Sequence, residues 1–420
     1  MTARINLIAA VMAAAILSCD TDRNVAPVYE SYFTKYYGED GDQIGVDLAI
    51  GGDGTMVMIG TSQSQTNPTR GFIVKVDAQG TVLWERRMGG DNEVPVDVEF
   101  DSRNDILVVS NVEPTDDPPG TSVPASIRIT RISQSGAGID STLITHSKSI
   151  GLFGKAVTEI SDGSLIVVGN AGPGLVDDQR MPPPDLEDLL IYKVDPNFVI
   201  PPILKVERGG EHVGKIVKLF ESHEPGPKRF YSCGYSDRPF NEGGDFIQTF
   251  EVIQLDEFYQ SMSRQWAPGE DAKIASEAIE IERGYLMVGT TGQGLSSKIY
   301  VAQYVDNSPN LTTRFSELVK TPRSAEGISV AYGDQESIFV LADELQDNNN
   351  HDIYLLKIRN GEGGLAVQGE MRFGSVEGND QAAAVRILPD QRIAVFGTIE
   401  LVTQKKMMLT LVSPTGTFSE

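Results

Sequence analysis

The sequence predicts an all-β chain: a seven-bladed β-propeller of four-stranded antiparallel blades, with an N-terminal strand closing the last blade. Three observations predict it. An apolar strand ending in a small residue recurs seven times. A second strand type recurs in step with it. The final copy runs out before its fourth strand, and a segment near the N-terminus has the pattern that is missing.

The recurring apolar strand occupies 56–60, 107–110, 165–169, 230–234, 285–289, 338–342 and 393–397, ending at Gly60, Ser110, Gly169, Gly234, Gly289, Ala342 and Gly397. Continuous apolar runs of this length fit strands buried on both faces, as a blade between two others requires. A small last residue suits close approach of neighbouring sheets. The second register is a strand ending at Asp77, Ser133, Asp195, Asp256, Asp306, Arg359 and Ser413, in steps of 56, 62, 61, 50, 53 and 54 residues. Near-constant spacing, with the excess absorbed in loops, marks an array rather than unrelated domains. Turn chemistry agrees: Gly52-Asp53-Gly54 and Ser161-Asp162-Gly163 separate first from second strands, and Asp77-Ala78-Gln79-Gly80 separates a third from a fourth. Residues 31–37 align with the fourth strands at 84–90 and 370–374, so they are expected to form the outer strand of the last blade and leave no open edge.

Residues 1–18 carry one charge, Arg4, ahead of an apolar run too short for a comfortable membrane span, which reads as a signal peptide. The run ends in Ile16-Leu17-Ser18-Cys19, which resembles a bacterial lipobox. That resemblance implies cleavage before Cys19 and its lipidation; the competing reading is an ordinary secretory signal with a chance cysteine. Residues 19–30 then form a tether and 31–420 the propeller. Asp20 and Asp22 directly after the cysteine imply, by the same resemblance, an outer-membrane destination, with the periplasmic or surface side open. The other cysteine, Cys233, reads as a buried thiol filling space in a strand.

The first copy, Gly51 to Gly90, has the Asp53-Gly54 turn, the Gly60-Thr61 strand end, Lys75-Val76-Asp77 with Gly80, and Val82-Leu83-Trp84. It resembles the propeller repeats common in secreted proteins of Bacteroidota. The resemblance implies a fold and a cell-envelope setting; it implies no activity, because the architecture hosts many functions.

A net charge of −24 excludes a nucleic-acid binder, which needs basic patches to meet phosphates. Long second-to-third loops, such as 111–125 and 171–188, point to one face as the binding side; surface loops that have drifted in length are the competing reading. On that face the fourth-to-first loops bring acidic residues to the channel mouth: Asp42, Glu93, Glu270, Asp271, Glu326 and Asp380, with His212, while the third such loop instead carries His146, Lys148 and Lys155. An acidic mouth suits a divalent cation, a cationic peptide or a hydroxyl-rich glycan; solvated turn residues are the plainer reading. The four histidines have no metal-ligand spacing, and no nucleophile elbow or P-loop is present. No cofactor is expected beyond a candidate structural Ca²⁺. The leading expectation is a non-enzymatic envelope lipoprotein, its propeller binding or scaffolding an envelope protein or outer-membrane complex, or capturing a ligand near the outer membrane. The alternative is a polysaccharide-acting hydrolase or lyase with scattered carboxylates at the channel mouth.

Overall fold

The computed structural model describes residues 32–420 apart from 65–66, 114–124, 146–150, 172–187, 200–203, 208–213, 225, 240–245, 283, 308–309, 362–363, 376–377 and 415–420. The described residues form seven four-stranded sheets. In six of them four consecutive strands pair in chain order. The seventh has three such strands, and its fourth comes from Phe33–Tyr37, paired antiparallel with Gln404–Val412. Phe33 lies opposite Leu411 and Tyr37 opposite Met407, so both ends of the described chain meet in one sheet, as the repeat count required.

The first strand of each blade faces the ring axis: Asp42–Ile50, Glu93–Phe100, Leu152–Glu159, Gly214–Glu221, Lys273–Ile281, Ala325–Tyr332 and Gln381–Ile387. The second strands are dry on both faces; Val57, Met58, Val108, Val109, Val395 and Phe396 are all fully buried. The core is therefore a set of layers between blades. Across the closing seam, Leu48, Met56 and Phe72 of the first blade pack with Phe396, Met407 and Leu409 of the last. Each such side chain stabilises the seam by about 1.5–3 kcal/mol.

Every first strand carries a β-bulge at the same register, between Gly45 and Asp47, Pro95 and Asp97, Gly154 and Ala156, Ile216 and Lys218, Ala275 and Glu277, Gly327 and Ser329, and Ala382 and Ala384. The bulge explains the glycine that ends five of the seven second strands. A Cβ added at Gly169, Gly234 or Gly289 would lie 2.0 Å from the carbonyl oxygen of Phe153, Lys215 or Ile274 respectively. The constraint thus comes first from the bulged partner in the same blade. A neighbouring blade adds to it at Gly60, where the Cβ would also stand 2.8 Å from the Met407 sulfur.

Candidate functional site

The seven first strands enclose a central cavity of about 720 Å³. The extra residue of each bulge forms a collar around it: Val46, Val96, Lys155, Val217, Ser276, Ile328 and Ala383, all lining the cavity. Lys155 therefore belongs to the collar, within its strand, rather than to the loop expected from the sequence.

In four of the blades the residue after the bulge ties its blade to the next. Asp47 Oδ2 accepts the main-chain N–H of Val98 at 3.2 Å, and Asp97 Oδ2 accepts that of Val157 at 2.7 Å. On the other side of the ring, Glu277 Oε2 accepts the N–H of Val330 at 2.8 Å, and Ser329 Oγ accepts that of Val385 at 2.9 Å. Four blades thus repeat one device, an oxygen at the bulge receiving an amide of the next blade.

Two cations cross the cavity to meet these acids. Arg386 donates to Asp47 Oδ1 at 2.8 Å and pairs with Glu277 Oε1 at 2.9 Å, joining the first, fifth and seventh blades. Its planar fork suits two carboxylates at once. Lys218 of the fourth blade lies 2.6 Å from Glu99 Oε1 and 3.4 Å from Asp97 Oδ1. Burial pushes Asp97 up to about 7, with Lys218 pulling the other way and Glu99 and Asp47 adding to the rise. Asp47 is raised for the same first reason, partly offset by Arg386. Burial disfavours the Lys218 charge, but Asp97, Glu99 and Asp47 together more than offset it and hold the ammonium above its ordinary range. Glu99 is the closer of the two partners of the ammonium.

The sequence-predicted mouth residues have different surroundings. Glu93 is buried and accepts the N–H of Gly90 at 3.1 Å and Nε of Arg128 at 3.0 Å. Asp380 is also buried, bridging the amides of Ser375 at 2.6 Å and Glu400 at 2.7 Å; burial raises its pKa. Both fasten the loop entering their own blade. Asp42 is exposed and accepts the N–H of Lys405 at 2.8 Å; Glu326 is exposed and accepts from Ser297 Oγ at 3.1 Å. Glu270 and Asp271 stand in solvent. His146 and His212 lie outside the described residues, as does Cys19. Among the described residues no group of three or more His, Cys, Asp or Glu side chains is arranged to hold a metal ion.

The charged belt inside the cavity was not singled out from the sequence, although a signal exists. Asp47, Asp97, Ala156, Ser329 and Ala384 each stand thirteen residues ahead of the small residue ending their second strand. Alignment on that residue puts Asp47, Asp97 and Ser329 in one column.

No family model matches the chain, and no curated protein matches it. Among solved structures it is similar to a PL25 ulvan lyase of a polysaccharide lyase family, described both alone and bound to -[GlcA(1-4)Rha3S]-. The TM-score is 0.56 in each case at 12% identity, covering 92% of this chain and 97–98% of the other. A protein of unknown function from Dyadobacter fermentans aligns over 90% of this chain at 9% identity, with a TM-score of 0.45. At these identities the likeness speaks to the fold alone. The chain is a seven-bladed β-propeller protein.

Proposed function

We propose that the chain is a cell-envelope lipoprotein, anchored at the outer membrane through lipidated Cys19, whose propeller is a binding or scaffolding module for a protein partner. One observation carries this reading over a catalytic one. Three acids of the innermost strands are committed to holding the ring: Asp47, Asp97 and Glu277 each accept a main-chain amide of the next blade and each face a cation. A carboxylate used as a general acid or base must be free to meet substrate. With the ring so fixed, the loops it displays are the natural contact surface. Affinity purification from native membranes tests the reading. A stoichiometric envelope partner, lost when the second-to-third loops are replaced by short turns, supports it. Turnover of a glycan that one carboxylate substitution abolishes overturns it.

The second reading, a lyase or hydrolase acting on polysaccharide, is favoured by the fold shared with the ulvan lyase over 92% of the chain. Incubation with uronate-containing polysaccharides, followed by absorbance of unsaturated products, separates the two.

A further inference from the structure

The faces of the ring are not equivalent, and the direction of the closing strand distinguishes them. One face carries the first-to-second and third-to-fourth turns, here called the lower face. The upper face carries the second-to-third and fourth-to-first loops. Phe33 opposes Leu411, next to the lower end of its partner strand, while Tyr37 opposes Met407 toward the upper end. The chain therefore enters the propeller from the lower face. Contacts with the first blade agree. A Cβ on Gly80, in the third-to-fourth turn of that blade, would lie 2.4 Å from the Phe33 ring, and Lys35 Nζ donates to Gln79 O in the same turn at 2.7 Å.

Exposed apolar side chains occur on both faces, so exposure alone does not orient the ring. On the lower side Val82 and Leu83 are 44% and 51% exposed, directly after the turn that meets Phe33. Val199 and Phe258 occupy the equivalent turns of the third and fourth blades, at 60% and 68%. On the upper side Leu295 is 82% exposed and Val402 fully so, at the tips of second-to-third loops.

The point of chain entry assigns the faces. Thirteen residues, 20 to 32, separate Cys19 from Phe33. Thirteen residues reach at most about 45 Å when fully extended. A nine-residue strand such as Asp42–Ile50 is itself about 30 Å long. Bringing the upper face to a membrane would use about 30 Å of that reach to pass the height of the ring. Resting the lower face on it demands nothing of the kind.

Building on the lipid anchor proposed above, we propose that the lower face is the side turned to the lipid surface, with Val82 and Leu83 directly after the turn that meets Phe33 and Phe258 farther along the rim. The upper face, with Leu295, Val402 and the long loops, is then offered to the partner. The lipidated full chain in phosphatidylethanolamine–phosphatidylglycerol vesicles tests this with single-cysteine variants Phe258→Cys, Val82→Cys and Leu295→Cys carrying an environment-sensitive fluorophore. Cys233 is fully buried, with its thiol pKa pushed up by burial, and stays unlabelled. Nitroxide lipid headgroups are expected to quench the label at 82 and 258 and to leave the label at 295 bright. Quenching at 295 alone, or equal quenching at all three, overturns the orientation while the anchor stands. A mature chain whose mass shows no acyl groups overturns the anchor and the orientation with it.

Discussion

Asp97 of the second blade and Val157 of the third are joined by a 2.7 Å hydrogen bond, the carboxylate accepting the main-chain N–H across the blade interface. Replacing Asp97 with Ala removes that acceptor and leaves Lys218 with Glu99 alone. Loss of one member of a buried pair costs about 3 kcal/mol, read from chemical denaturation. Asp97→Asn keeps an acceptor for Val157 and should cost much less.

The same two variants expose a pH dependence. With its folded pKa raised to about 7 from an ordinary 3.8, Asp97 holds a proton in the folded state that the unfolded chain releases. The folded state then binds more protons between about pH 4 and pH 7, so this group's contribution to stability falls as pH rises through that window and is flat above it. Asp343, raised to about 6 by burial, acts in the same direction. The difference in unfolding free energy between the native chain and Asp97→Asn should therefore shift in favour of the native chain at pH 5 relative to pH 8. A difference independent of pH would show that Asp97 is ionised throughout.

Arg386 spans blades that share no hydrogen-bonded edge. Arg386→Met strands Asp47 and Glu277 without their common cation and should destabilise the ring by about 3–5 kcal/mol in urea titrations. Arg386→Lys should recover little, because a single ammonium cannot replace a fork that meets Asp47 at 2.8 Å and Glu277 at 2.9 Å. The double variant Asp47→Asn/Arg386→Met should be less damaging than the two single losses added together, since one stranded charge has gone with its partner.

Gly289 and Gly52 make a matched pair for the bulge argument. A Cβ on Gly289 would meet Ile274 O at 2.0 Å, whereas nothing stands within 4 Å of a Cβ on Gly52. Gly289→Ala should cost about 1–3 kcal/mol from the forced backbone shift, and Gly52→Ala should lie within about 0.5 kcal/mol of the native chain. Thermal denaturation of the two purified variants decides it.

Those glycines also show why the fold was legible and the site was not. A second strand buried on both faces must be continuously apolar, so 56–60 and its six relatives stand out in any alignment, and the closing strand follows from counting. First strands are half polar, and the bulge breaks their alternation. Glu93 and Asp97 lie four residues apart in one strand, on either side of the bulge between Pro95 and Asp97. Glu93 fastens a loop to Arg128, while Asp97 lines the cavity and binds the next blade. Sequence composition ranks them alike. The acids picked out for lying in fourth-to-first loops are therefore a mixture of loop fasteners and solvated side chains, and the belt inside the ring escaped notice because its members sit within strands.

The closing strand makes the last prediction. Phe33 and Tyr37 pack in the same apolar cluster as Leu409 and Leu411, and the Tyr37 hydroxyl donates to Gly80 O at 2.7 Å in the first blade. Five residues thus complete the seventh sheet and press it onto the first. A chain beginning at residue 32 retains all of this and should melt with the chain beginning at residue 20. One beginning at residue 39 leaves the edge of Gln404–Val412 unpaired and its apolar face wet, so its calorimetric midpoint should fall sharply and its tendency to associate should rise. Tyr37→Phe isolates the polar part, a single buried hydrogen bond whose loss costs about 1 kcal/mol. Equal midpoints for the chains starting at 32 and 39 would mean that the ring closes through the contacts of the first strands alone, with the seventh blade stable on three strands.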